Sequence, residues 1–196
     1  MELAPSVIAY LALLLLVAVL RIFELRVSRR HQQQMIARGA SKIPDPKFRW
    51  MVLVHTGVLL GSALEVVFLK RPFIAPLAAV MFLLFLAANA VRWWVIRTMG
   101  QHWNVQVVDS TTLGVITSGP FRYVRHPNYA AVFVEMLALP LIHSAWITAT
   151  LGSLAHVAVL VERLSAEERI LLASADYRAA MAQKLASSPA FSEVVT

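Results

Sequence analysis

The chain has 196 residues, of which 59% are hydrophobic and only 15% charged, and its mean hydropathy is +0.67. That leaves too few polar residues to cover a water-soluble domain of this size, so the chain reads as a single-domain integral membrane protein (1–196). It has no cysteine, which excludes disulfides, thiolate zinc sites and a cysteine nucleophile, and the net charge of +7 fits basic membrane loops better than a nucleic-acid surface.

Residues 5–23, "PSVIAYLALLLLVAVLRIF", are long enough to cross a bilayer, which takes about 20 residues. They lack the basic leader and short apolar run of a cleavable signal, so they are expected to be a span. The segment that follows, "ELRVSRRHQQQMIARGASKIPDPKFRW", predicts a basic, partly amphipathic helix ended by Gly39, then a Pro-containing loop. It reads either as an anchor on anionic lipid or as a gate over a substrate site. A second span is expected over 51–69, carrying His55 and Glu65, and a third over 73–96 after a turn containing "KR". Glu65 lies near the outer end of its span, where snorkelling is the expectation.

Residues 129–161 are almost entirely apolar. As one helix they would measure about 50 Å, against a hydrocarbon core of about 30 Å. A break near 140–146, "PLIHSAW", resolves the excess by making a hairpin of two spans. The fold class is therefore all-α, a polytopic bundle of about five transmembrane helices with the last two forming a hairpin. Three spans and the basic loop fill 1–99; the hairpin, its polar flanks and a C-terminal helix fill 100–196. With five crossings, 16 of the 18 Lys and Arg fall on one side. The positive-inside rule then places the N-terminus outside and the C-terminus in the cytoplasm.

A hairpin returns the chain to its starting face, so the polar stretches on either side of it meet there. The first ends in "GPFRYVRHPNY" (119–129) and the second begins "ERLSAEE" (162–168). Arg163 and Glu167 are four apart and share a helix face; the plainest reading of such a pair is a surface ion pair. Pro127 suits the first turn of a helix, leaving the amides before it free to bind. Glu135 and Arg92, near the same boundary, either line a pocket or pair with other charges. His143 and His156 read as packing or interfacial residues. Four of the five tryptophans sit near span ends, as interfacial anchors do, while Trp103 lies in the loop before Gln106.

These two motifs, at this spacing around an apolar hairpin, resemble the isoprenylcysteine carboxyl methyltransferase family over about residues 100–183. The resemblance implies a multi-pass membrane enzyme that uses S-adenosylmethionine (SAM). It carries cofactor contacts onto Gln106, the backbone of Leu113, Gly114, Val115 and Ile116, Phe121, His126, Pro127, Tyr129 and Glu167, and assigns Arg163 to the substrate. Phe121 stands where the family usually has Tyr, and Ala175 where a Gly commonly precedes "DY". The first half looks similar to bacterial relatives that methylate long-chain alkylpyrones or alkylresorcinols, which implies an inner-membrane location. The partners are then membrane lipids and a lipophilic or prenylated acceptor, its methylated oxygen either a carboxylate or a polyketide-lipid hydroxyl. A hydroxyl acceptor asks for a base such as Glu167, Glu168 or His126.

Two other readings compete with this one. Membrane sterol reductases share a similar "RHPNY" that serves NADPH, but continue with Gly-Glu and end in motifs absent from "YAAVFVEM" and "RLSAEERILLASADY". A non-catalytic membrane adaptor accounts for the charge asymmetry and leaves the paired motifs unexplained.

Overall fold

The computed structural model describes residues 3–42, 48–106, 108–109 and 115–186. Six helices account for nearly all of it: α1 (Pro5–Ala37), α2 (Phe48–Phe68), α3 (Ala75–Met99), α4 (Pro127–Leu141), α5 (Trp146–Ala173) and α6 (Ala175–Ala186). Single 3₁₀ turns at Gly100–His102 and Gly119–Arg122 mark the loop between α3 and α4. One two-residue antiparallel pairing, β1 (Ser41–Lys42) with β2 (Val108–Asp109), ties that loop to the chain just after α1. The protein is an all-α, multi-pass membrane protein.

α1 corrects the expected division of the N-terminal region. No break separates the expected span from the basic helix after it; one helix runs on through the basic segment to Ala37. The reason is local: no Gly or Pro interrupts residues 6–38, so nothing stops propagation. At about 50 Å the helix exceeds the hydrocarbon core by some 20 Å. It ends where Gly39 takes a positive φ of 99° and the Ala40 amide turns back to the Met35 carbonyl at 3.0 Å. The Pro-containing loop expected after it lies, at 43–47, outside the described residues.

Pro76 and Pro127 sit in the first turns of α3 and α4, where no intrahelical N–H is needed. The break in the long apolar segment comes where the sequence placed it. α4 ends at Leu141, one residue after Pro140; residues 142–145 turn, with Ser144 at φ 55°, and α5 begins at Trp146. Four helices (α1, α2, α5, and α3 with its 3₁₀ extension) are long and apolar enough to cross a membrane; α4, with 15 residues, is shorter. Its length of about 22 Å falls short of the core. Nine of its residues are buried, including Glu135, so α4 is enclosed by its neighbours and has little lipid to match. The other helices present apolar side chains outward, among them Leu15, Phe68, Leu83 and Leu154, each more than half exposed. Such a surface suits hydrocarbon rather than water.

The two ends of the bundle differ. One end, the basic end, carries Arg26, Arg29 and Arg30 on the second half of α1, and Arg122 and Arg125 just ahead of α4. At the other, Glu65 is buried and does not snorkel. It accepts hydrogen bonds from the Thr148 amide (2.7 Å), the Thr148 hydroxyl (2.8 Å) and the Ile147 amide (3.1 Å), and pairs with Arg71 at 2.8 Å. The first amides of a helix have no intrahelical acceptor, and inside a membrane no water replaces one. A carboxylate borrowed from α2 therefore caps α5. Between the ends runs the apolar core, in which Tyr10, Leu14 and Val17 of α1 meet Val66, Phe85, Ala138 and Leu139. The Tyr10 hydroxyl donates to the Leu139 carbonyl at 3.1 Å.

Nearer the basic end lies a charge-balanced cluster. Arg21 pairs with Glu24 (2.6 Å) and Glu135 (2.8 Å), and Arg92 pairs with Glu24 at 2.6 Å. Asn89 accepts from Arg21 at 3.2 Å. Two guanidiniums thus meet two carboxylates from α1, α3 and α4, which is what keeps four charges tolerable at that depth.

Candidate active site

The helix ends at the basic end bring the two motifs together. His126 is the residue before α4 and is followed by Pro127 at its start, while Glu167 and Glu168 lie six and five residues before the end of α5. The Tyr129 hydroxyl donates to Glu167 Oε2, and His126 Nε2 is hydrogen-bonded to Glu168 Oε1. His126 Nδ1 stands 3.9 Å from Glu167 Oε1. The His126 and Tyr129 rings lie nearly parallel, 5.7 Å apart and inclined by 20°. Arg125 closes the outer side, donating to Glu168 Oε2 at 2.7 Å and to the Tyr177 hydroxyl of α6 at 3.3 Å. Those two oxygens, Tyr177's first, raise the Arg125 guanidinium above its ordinary value and fix its charge.

Arg163 sits one turn deeper on the same face of α5. It is only 5% exposed, so the reading of Arg163 and Glu167 as a surface pair does not hold. Its guanidinium donates to the Val105 carbonyl at 2.6 Å and contacts Met51 Sδ at 2.9 Å. The loop that supplies Val105 is held by α1. Ser28 accepts from the Val105 amide at 2.9 Å, His31 bonds the Trp103 carbonyl at 2.8 Å, and Gln32 donates to the Gln106 side chain at 2.9 Å. The inner face of the basic segment is thus the scaffold for the Gln106 loop, while Arg26, Arg29 and Arg30 face outward.

All of this surrounds one cavity of about 610 Å³. Among the residues singled out from sequence, Gln106, Val115, Ile116, Phe121, His126, Pro127, Tyr129, Arg163 and Glu167 line it. Leu113 and Gly114 lie outside the described residues. Arg92 lines the cavity and also pairs with Glu24, so its two alternatives hold together, whereas Glu135 serves in pairing. His156 lines the cavity as well, which corrects its reading as a packing or interfacial residue; His143 packs between Tyr10 and Phe73. Residues not singled out also contribute: Arg21, Glu24, Met51, Tyr177 and Met181. Arg21 and Glu24 carried a signal, being an i,i+3 ion pair at the end of an apolar run. Tyr177 belongs to the "DY" noted in the sequence, but nothing there assigned it a role, because α6 reaches the cavity only by tertiary packing.

The cavity has the character of a small-molecule site. Its volume falls within the range of about 300–1,000 Å³ typical of ligand pockets, with apolar walls and few convergent polar groups. Two residues of its lining, Asn128 and Trp103, each carry a buried side-chain atom (Oδ1 and Nε1) with no hydrogen-bond partner among the described residues. Buried polar groups are nearly always satisfied, so a polar ligand bearing donors and acceptors fits here. A carboxylate, an imidazole, a phenol and an amide suit a zwitterion with an aromatic base.

Comparison with known proteins agrees with this architecture. A family model described as isoprenylcysteine carboxyl methyltransferase (ICMT) matches residues 79–173. A Bacillus subtilis (strain 168) protein, the uncharacterized protein YpbQ, is 29% identical over 163 residues, covering 80% of this chain and 95% of its own. An uncharacterized protein of Haemophilus influenzae is 26% identical over 150 residues, covering 76% of this chain and 87% of its own. No solved structure matches the chain.

Proposed function

Residues 79–173 belong to the isoprenylcysteine carboxyl methyltransferase family, and from that premise we propose that the protein transfers a methyl group from SAM to an oxygen of a lipophilic acceptor. The observation that carries the reading is the convergence of the two sequence motifs, through Tyr129–Glu167 and His126–Glu168, on the wall of one cavity. SAM, when bound, supplies an electrophilic methyl on a sulfonium whose leaving group is neutral.

The residues have distinct tasks. Glu167, oriented by the Tyr129 hydroxyl, meets the cationic end of the cofactor, and Tyr129 and His126 together present stacked rings to the sulfonium. Gln106, Asn128, and the backbone at Val115 and Ile116 take its polar edges, and Phe121 and Pro127 its apolar ones. Arg163 offers a planar, two-donor fork to the acceptor oxygen, a geometry that Lys lacks. A carboxylate acceptor is ionised at neutral pH and needs no base. A hydroxyl acceptor passes its proton to His126, and Glu168 holds the resulting imidazolium. Rate enhancement would then come mainly from the alignment of the acceptor oxygen with the methyl donor. Because SAM is cytosolic, the basic end faces the cytoplasm, in keeping with the charge asymmetry.

The test is calorimetric titration of the purified full chain with SAM, S-adenosylhomocysteine and NADPH. The first two are expected to bind and the third not; binding of NADPH alone overturns the proposal. Incubation of membrane extracts with methyl-labelled SAM then identifies the acceptor.

A further inference from the structure

The buried reach of the cavity contains a histidine pair that the methyl-transfer roles leave unused. His55 of α2 and His156 of α5 meet edge to face, with ring centroids 5.6 Å apart, and both line the cavity. His156 is only 1% exposed, yet both its ring nitrogens are enclosed with no hydrogen-bond partner among the described residues. A buried imidazole with two unmet nitrogens is costly in an apolar setting unless something else satisfies it.

The tautomers tell what that is. His55 Nδ1 lies 2.8 Å from the Met51 carbonyl. A carbonyl only accepts, so Nδ1 carries the proton and Nε2 is left as an acceptor. His156, as a neutral ring, has one N–H to give. The pair therefore offers one acceptor and one donor. A hydroxyl is the small group that answers both, donating to His55 and accepting from His156. A carbonyl or ether would leave the His55 lone pair unmet, and a carboxylate would turn a second acceptor toward it.

Position excludes the oxygen that takes the methyl group. His156 is seven residues before Arg163 on α5, two turns or about 10 Å along the axis. His55 is one turn past Met51, the residue that Arg163 touches. On both helices the pair lies farther from the basic end than Arg163 does. The cavity lining also includes Ala18, Ile22, Leu59, Leu60 and Val132, apolar residues suited to a hydrocarbon chain. We infer that the acceptor is a hydroxylated amphiphile, carrying a hydroxyl distinct from its methylated oxygen that seats between His55 and His156. This inference deepens, and rests on, the methyltransferase reading.

The experiment measures equilibrium binding of 3-pentadecylphenol and pentadecylbenzene, which differ by one hydroxyl, to the full chain in lipid nanodiscs without SAM. The phenol is expected to bind about ten-fold more tightly, a difference of about 1.4 kcal/mol. His55→Phe and His156→Phe should each abolish that preference while SAM affinity, read by calorimetry, stays unchanged; His156→Asn, which keeps a donor and an acceptor, should retain part of it. In the wild type, ¹⁵N-histidine spectra should show the phenol, and not the hydrocarbon, shifting the His55 Nε2 resonance. Equal binding of the two probes, a preference that survives both Phe variants, or an unmoved Nε2 resonance each overturns the inference; a site filled only by water gives the first of these. If the wild type prefers the phenol but fails to bind SAM, the methyltransferase reading falls and the hydroxyl site stands.

Discussion

Glu24 accepts from two guanidiniums at once: Arg21 Nη1 at 2.6 Å, and Arg92 through Nη2 at 2.6 Å and Nε at 3.2 Å. Glu24→Gln keeps the shape and removes the charge, leaving two arginines facing Glu135 alone in a site where the Arg92 side chain is 8% exposed. Removing one partner from a buried pair costs about 3–5 kcal/mol, most of it the uncompensated charge left behind. For a chain of this length that corresponds to a fall in Tm on the order of 10 °C. Arg92→Gln in the same background restores balance, leaving Arg21 with Glu135, so the double variant should be more stable than the two single losses would sum to, by about 2 kcal/mol. The assay is thermal unfolding in detergent, followed by tryptophan fluorescence, for the wild type and the three variants. A single variant that costs under about 1 kcal/mol, or a double variant whose loss is simply additive, would refute the view of these residues as one balanced network.

Other outcomes follow from the same geometry. Glu65→Ala strips the acceptor from the first turn of α5 and leaves Arg71 unpaired, so unfolding should ease by about 3 kcal/mol while SAM affinity stays near the wild-type value; melting and calorimetry separate the two. Tyr129→Phe removes the hydroxyl that orients Glu167 and should weaken SAM binding about five- to ten-fold, with no change in Tm beyond a few degrees. Arg163→Lys keeps the charge but loses the fork and its bond geometry to Val105, and is expected to cut kcat/KM with the true acceptor at least ten-fold while SAM still binds. Full activity in that variant removes Arg163 from the acceptor site.

Much of this arrangement was legible because it depends on short-range features. Pro140 and the length of the apolar run force the hairpin, and the hairpin alone brings His126 and Glu167 to one face. The uninterrupted helix-forming run from 6 to 38 was equally visible, yet charge content suggested a boundary at residue 23 where the backbone has none. What could not be read is pairing across distance. Glu65 meets Thr148, 83 positions away, and Arg21 meets Glu135 across 114, so position along each span suggested lipid contact or an undecided role. The burial of Arg163 has the same origin, since its partners Met51 and Val105 come from α2 and from a loop that α1 positions.

α5 is where these separate facts become one constraint. A single uninterrupted helix carries the Glu65-capped terminus, then His156, Arg163 and Glu167 at spacings of seven and four, so all three share a face. On the proposed reading those positions are a ruler, about 10 Å from hydroxyl to acceptor oxygen and about 6 Å from there to the cofactor's charge. A ruler works only if it neither slides nor turns. The cap fixes its far end against α2, and at Gly152 an added Cβ would fall 2.4 Å from the Val58 side chain, so the two helices pack too closely there for a larger residue without displacement of Val58. One residue inserted between His156 and Arg163 would rotate the cofactor end by about 100° relative to the histidine pair. Selectivity for the acceptor's length and polarity is therefore set by the backbone of α5 as much as by the side chains it carries.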